Sequence, residues 1–202
     1  MQSDEFMALS SSCEAEITVK GSRFIGHAMA VETREQAEAA IADIAKCYYD
    51  ASHNCFAYRI GHASDLVFRY SDDGEPAGTA GAPIHNVLAG KGISNIAVVI
   101  TRYFGGTKLG KGGLVRAYGE CTRQTLIVAR VEKKYHYAKL QLNFDYSLTS
   151  DVRRILSKMG TVELASDYGA AVELIIQVRK SYRDSLIEQL IDATAAKITI
   201  KS

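Results

Sequence analysis

The longest uninterrupted apolar run in the chain is Ile96 to Ile100, extended by Thr101. Its β-branched side chains are those of a strand covered on both faces, and it is far too short to span a bilayer. A segment holding Gly105, Gly106, Gly110, Gly112 and Gly113 follows at once, after which Leu114, Tyr118, Cys121, Thr125 and Ala129 recur along one helical stripe. A buried strand running straight into a glycine-rich loop and then a long helix constrains the first part of the chain to a mixed α/β domain.

The preceding residues supply the rest of that domain. Ala15, Ile17 and Val19 alternate with Glu14, Glu16, Thr18 and Lys20 as a half-buried strand, Gly21 and Ser22 are expected to turn, and a second strand covers 23–31. Thr33 and Gln36 form a capping box for a helix reaching about Asp50. Strands are expected at 55–60 and 66–70 around a turn at 61–65, then a long loop at 71–83 and a short helix at 84–89. Around 131–135 the pattern breaks and restarts as a complete β-α-β-β-α-β unit. In that unit Ser150 caps the first helix, Gly160 ends it, and Ser181 with Asp184 opens the second. This is the ferredoxin-like arrangement. The expected fold class is therefore α+β, with domains at 1–134 and 135–202, in keeping with domain sizes of roughly 100–150 residues.

With 47% hydrophobic and 23% charged residues the chain is globular rather than disordered or fibrous. Its four cysteines, Cys13, Cys47, Cys55 and Cys121, form no CxxC pair, so neither a zinc ribbon nor a disulfide framework is expected. The opening residues MQSDEFMALSSS do not pair a basic region with an apolar one, so a cytoplasmic protein without membrane association is expected.

Both prolines and nine of the 16 glycines fall in two places, the 71–83 loop and residues 105–119. Loops this long inside a compact domain are usually functional. In the second, glycines let backbone amides approach an anion, the following helix turns its positive end to the same spot, and Thr107, Lys108 and Lys111 add donors. Gly105 to Lys111 matches G-x-x-x-x-G-K, but Gly112 stands where a P-loop needs Ser or Thr, and Val115 stands where a dinucleotide fingerprint needs its third glycine. An anion site, or glycines serving tight turns alone, remains. Asp72, Asp73 and Glu75 in the first loop lack the ligand spacing of a calcium loop, so no metal is expected, and a turn docked against the basic loop is the favoured role. His53 and Cys55 share a strand face without a third catalytic partner and read as packing residues. His27, His62, His85 and His136 show no metal-ligand spacing.

The formal net charge of +1 hides a strong asymmetry. Residues 102–134 carry a net +6 and residues 1–101 a net −6. A basic block around a glycine-rich loop, with Tyr103 and Phe104 beside it, has the composition of a phosphate-tracking surface with aromatics for base stacking. In the C-terminal unit, by contrast, the outward positions Glu173, Ile175 and Gln177 lack the stacking aromatics of an RNA-recognition sheet.

The stretches KGSRFIGHA, ASHNCFAYRIG, YSDDGEPAGTAGAPI and VVITRYFGGTKLGKGGLVRAYGE resemble the IMPACT family in its bacterial, YigZ-like form. Arg102, Tyr103, Phe104, Gly105, Gly106, Leu109 and Gly110 meet the signature R-[FYW]-[FYW]-G-G-x-x-L-G. The resemblance implies a first domain folded like the second domain of a small-subunit ribosomal protein, and a second resembling domain V of elongation factor G. It also implies a link to translation. The eukaryotic relatives act on starvation-kinase signalling through an N-terminal RWD domain; with a strand expected already at 14–20, that domain is not expected here and the role is not carried over.

Together these observations point to a non-enzymatic, translation-associated protein that binds RNA or the ribosome. Arg102, Tyr103, Gly105, Gly106, Thr107, Lys108, Gly110, Lys111, Gly112 and Arg116 are its expected phosphate-binding set, Asp72, Asp73 and Glu75 support them, and no cofactor is expected. The competing expectations are an enzyme acting on a small phosphorylated or nucleotide ligand at the same loop, and a module that binds a protein of the translation machinery.

Overall fold

A computed structural model describes residues 4–61 and 65–201, which form two compact units, Phe6–Lys134 and residues 135–201 with Asp4 and Glu5. The first is organised around a five-stranded antiparallel sheet of β2 (Cys13–Val19), β3 (Ser22–Ala30), β4 (His53–Ile60), β5 (Val67–Ser71) and β6 (Ile96–Tyr103), in the order β2-β3-β6-β4-β5. The apolar run is the central strand, as its sequence requires. Val98 and Ile100 of β6 pack into a core with α2 (Gly81–Gly90) and α3 (Gly110–Val128), while Ala97 meets Ala37 of α1 (Arg34–Cys47) in a core of its own. β6 is thus covered on both sides.

Local chemistry explains most boundaries. Thr33 accepts from the Gln36 amide at 3.2 Å, as the capping box requires, while the Gln36 side chain accepts from the Glu32 amide at 2.7 Å, one residue before the cap. The β2–β3 turn consists of Lys20 and Gly21, both with positive φ, one position earlier than expected because Ser22 is already paired with Val19. α2 starts at Gly81 and takes Pro83 into its first turn, which shortens the expected loop. α1 stops at Cys47, short of Asp50.

Two strands were absent from the sequence expectations. β1 (Glu5–Leu9) pairs with β7 (Val131–Tyr135), the stretch read as a break between domains, and Ser10 continues the association by donating its amide to the Arg130 carbonyl at 2.9 Å.

The second unit is the expected ferredoxin-like fold. β8 (Tyr137–Phe144), α4 (Thr149–Lys158), β9 (Val162–Tyr168), β10 (Val172–Arg179), α5 (Arg183–Ala193) and β11 (Thr199–Lys201) give the sheet order β11-β8-β10-β9. Leu140, Leu142, Phe144, Leu174 and Ile176 are buried against Val152, Leu186 and Leu190 of the helices. Gly160, with φ +62, ends α4 in a Schellman motif whose amides bond the Ser157 and Leu156 carbonyls. The helix starts differ from expectation. Asp145, not Ser150, caps the turn leading into α4, accepting from the Ser147 amide at 2.9 Å. Ser181 caps nothing: its hydroxyl and amide both donate to the Asp4 carboxylate, at 2.6 and 3.1 Å. Among the described residues no helix is long and apolar enough to cross a membrane.

Candidate functional site

The register of β6 sets Arg102 opposite Phe24 of β3 and His53 of β4. Two residues beyond Ile100, its side chain shares the face packed against α3, and the residue is 5% exposed. A guanidinium there needs a counter-ion. Glu75, 8% exposed, supplies it: Arg102 Nη1 donates to Glu75 Oε1 at 2.5 Å, and Tyr118 of α3 donates its hydroxyl to the same oxygen at 2.8 Å. Arg102 Nη2 donates to Ser22 Oγ at 3.3 Å, and its guanidinium lies 5.4 Å from the Phe24 ring centre and 5.6 Å from that of Phe104. Cys55 Sγ lies 3.3 Å from the Tyr118 hydroxyl and 3.0 Å from the Asp72 carbonyl. Burial pushes the Cys55 thiol up to about 12. Burial, then the neighbouring Cys55 and Glu75, raises Tyr118 as well, so its hydroxyl keeps its proton and remains a donor. Neither group is a nucleophile at neutral pH.

The acidic loop delivers Glu75 through a tight turn. Asp73 and Gly74 have φ of +43 and +84, the signs that a type I′ turn demands, and the Glu75 amide donates to the Asp72 carbonyl at 2.9 Å. Asp73 anchors one side, its carboxylate accepting from the Asn54 amide at 2.6 Å. Asp72 closes the rest of the loop, accepting from the amides of Gly78, Ala80 and Gly81 at 2.8, 2.9 and 2.9 Å. Asp72 and Asp73 are thus scaffolding, and only Glu75 turns inward. Burial raises the Asp72 carboxyl, but the three amides outweigh it and hold it below its ordinary 3.8. Its stabilising contribution is complete above that ordinary value and is lost as pH falls through the lower folded one. A carboxyl NMR titration is expected to place Asp72 below 3.8, and a midpoint above it would refute this account of the loop.

The basic loop lies over this pair. Residues 104–109 have no regular structure, and the helix begins at Gly110, so Gly110, Lys111 and Gly112 belong to the first turn of α3 rather than to the loop. Leu109 occupies the N-cap position, no side chain caps the helix, and the first turn contains no acid, so its amides are left for an outside acceptor. Glu75, Pro76, Arg102, Phe104, Lys108, Leu109, Gly110, Lys111 and Leu114 line a cavity of about 310 Å³. Glu75 from the first loop, Lys108 from the second and Lys111 from the first turn of α3 therefore do converge.

Other expected site residues are placed elsewhere. Arg102, expected on phosphate, is spent on Glu75 and holds the loop from beneath. Tyr103 donates its hydroxyl to Asp50 at 2.7 Å and is not part of the cavity lining, whereas half-exposed Phe104 is. Thr107, Gly106 and Arg116 are exposed and also outside the lining. His53 hydrogen-bonds the Asp73 carbonyl through Nδ1 at 2.7 Å, and its Nε2 stands 4.0 Å from Glu75 Oε2. His27 pairs with Glu14 at 3.1 Å, His85 packs on Phe68, and His62 lies outside the described residues. Among the described residues no group of three His, Cys, Asp or Glu is placed to hold a metal. Sequence reasoning missed Tyr118 as a site residue, although a tyrosine on the buried stripe of a helix needs a hydrogen-bond partner.

The Impact N-terminal domain, as a family model, matches residues 20–126, and a domain of unknown function, DUF1949, matches residues 142–197. The chain belongs to the IMPACT family. It is 34% identical over 196 residues to the IMPACT family member YvyE of Bacillus subtilis (strain 168), covering 97% of this chain and 90% of that protein. It is 36% identical over 157 residues to the IMPACT family member YigZ of Escherichia coli (strain K12), covering 77% of each. A solved structure titled as the crystal structure of an hypothetical protein matches with a TM-score of 0.71 and 29% identity, over 100% of this chain and 98% of its own.

Proposed function

We propose that the chain is a non-enzymatic, translation-associated regulatory protein that binds structured RNA or the ribosome through the basic glycine-rich segment. The observation that carries this reading is the gathering of Lys108, Lys111 and Arg116, all exposed, around an uncapped helix start that has no acid in its first turn. Backbone phosphates suit such a surface because the ammonium groups and the helix amides act together. Of the two aromatics expected to stack on bases, Tyr103 and Phe104, the half-exposed Phe104 beside the lysines keeps that role. Arg102 contributes by fixing the loop rather than by touching phosphate.

Binding of this kind is salt-dependent, with log K falling linearly against log salt. The double variant Lys108→Glu, Lys111→Glu is expected to abolish RNA binding at physiological salt and to reduce the magnitude of the salt slope by about 2. Fluorescence anisotropy on a labelled RNA at several salt concentrations measures both, and an unchanged affinity in the variant would exclude this site. A second reading, an enzyme acting on a small phosphorylated ligand, is favoured by one observation: the lysines border a cavity with a buried carboxylate rather than a flat face.

A further inference from the structure

A second cavity, of about 420 Å³, lies between α2 and α3 and shares no lining residue with the one at the loops. Pro83, Val87 and Lys91 line it from the α2 side, and Val115, Gly119 and Arg123 from the α3 side. Each triplet is spaced four residues apart, a single stripe along a helix. β5 and β6 are both antiparallel to β4, so they run parallel and α2, which joins them, runs back against β6. α3 also runs back, from Tyr118 beside Glu75 to Thr125 over Gly26, which is paired with Ile100 of β6. The two helices therefore point the same way. Lys91 and Arg123 share one end of a groove about 12 Å long, and Pro83 and Val115 share the other.

The two ends differ in chemistry. Pro83, Val87 and the 41% exposed Val115 make an aliphatic floor. At the charged end Arg123 is held ready: its Nε donates to Glu120 Oε2 at 2.9 Å, and Nη1 and Nη2 lie 3.5 and 3.8 Å from where a Cβ on Gly119 would stand. Neither Nη atom has a hydrogen-bond partner among the described residues, and Lys91 has no ion pair among them. The Glu120 carboxylate is itself taken, one oxygen by Arg123 and the other by Gln124 Nε2 at 2.7 Å. The lining thus offers two cations and no acid, and an arginine with both Nη atoms available suits a carboxylate, which it can grip with two parallel bonds. A nucleic-acid backbone would carry a charge at every nucleotide and seek aromatics for its bases. The aliphatic half of this groove meets neither demand.

We infer that the groove docks a short amphipathic helix of a partner protein, with an aliphatic side chain against Pro83, Val87 and Val115 and, one to two turns along, a carboxylate on Arg123 and Lys91. This is the helix-in-groove mode of recognition. It stands apart from the RNA-binding reading, which uses Lys108 and Lys111.

Titration of the ¹⁵N-labelled whole chain with an amidated peptide of about 16 residues, long enough to be helical alone, tests it. The peptide is built from Ala, Leu and Glu, with its leucines and glutamates on one face. The backbone amides of Val87, Lys91, Val115, Gly119 and Arg123 are expected to shift in step with peptide concentration. Replacing the glutamates by Gln, or the leucines by Ser, is expected to weaken binding about tenfold or more. The double variant Lys91→Glu, Arg123→Glu and the single variant Val115→Glu, all at exposed positions, should each do the same. Lys108→Glu, Lys111→Glu should leave the groove shifts in place while RNA binding is lost, which separates the two readings. Groove amides that stay still at millimolar peptide, or a Gln peptide that binds as well as the Glu one, overturn the inference. So does peptide binding that disappears in the loop variant but persists in the groove variants. An RNA oligomer that moves the groove amides and displaces the peptide would give the groove to RNA and overturn it too. The same holds if sedimentation shows the chain pairing with itself and Val115→Glu abolishing that pairing.

Discussion

Glu75→Ala is expected to destabilise the chain by about 3–5 kcal/mol, the cost of breaking a buried ion pair from one side. The Arg102 guanidinium would remain 5% exposed without its counter-ion, with Nε already lacking an acceptor, and the Tyr118 hydroxyl would lose its acceptor too. Most of that cost belongs to the stranded charge rather than to the worth of the pair, so Glu75→Leu combined with Arg102→Met should recover the greater part of it. Urea unfolding of the single and double variants measures the difference. A single variant within about 1 kcal/mol of the parent would mean that the pair behaves like a surface bridge. Arg34–Glu38 is such a bridge, with both side chains substantially exposed, and Arg34→Ala should stay within that smaller range.

Gly105→Ala is expected to cost about 3 kcal/mol or more, at or beyond the usual range for overpacking. A Cβ on Gly105 would stand 1.9 Å from the Gly21 carbonyl carbon, 2.0 Å from its oxygen and 2.2 Å from the Ser22 nitrogen. These are backbone atoms of the β2–β3 turn and cannot swing aside as the end of a flexible side chain would. The same approach lets the Gly105 amide donate to Ser22 Oγ at 3.1 Å, so the substitution should also displace Lys108 and Lys111 and weaken anion binding. Gly106→Ala is the control. Nothing lies within 4 Å of its Cβ, but φ is +83, so the expected cost is only the left-handed backbone term of about 1–2 kcal/mol. Thermal unfolding and RNA anisotropy on both variants should rank them in that order in both measurements, and the reverse order would refute the close-approach argument.

The two larger sheets were legible in the sequence where periodicity was local. The alternation of β2, the unbroken apolar run of β6, the stripe of α3 and the β-α-β-β-α-β order all survive in the structure because each element buries the face its own pattern defines. β1 and β7 were not legible. Neither alternates clearly, and what makes them strands is each other, across most of the first unit. Ser181 has the residue type and spacing of a helix cap, yet Asp4 claims it, a contact 177 positions away in sequence that no local pattern announces. The candidate site was half legible. The acidic and basic blocks do meet at the two loops, as their opposite charges suggested, but the exposed or buried fate of each charge was hidden. One signal did exist: Val98, Ile100 and Arg102 alternate onto the same face of β6, and that face is core, so Arg102 was bound to be inside and to need a partner.

The pairing of β1 with the end of the first unit bears on the order of events during synthesis. Ser10 hydrogen-bonds Arg130, 120 residues further along the chain. At translation rates of about 5–20 residues per second, β1 waits about 6–24 s for its partner to be made. Throughout that interval the only backbone pairing open to β1 among the described residues is the Met7–Ile93 bridge, with the Ser94 amide on the Met7 carbonyl, while Phe6, Ala8 and Leu9, all buried in the finished fold, lack the strand they lie beside. The unit that contains the candidate site is therefore closed by its last strand, and a nascent chain halted before Val131 would hold its leading apolar strand by the Met7–Ile93 bridge alone.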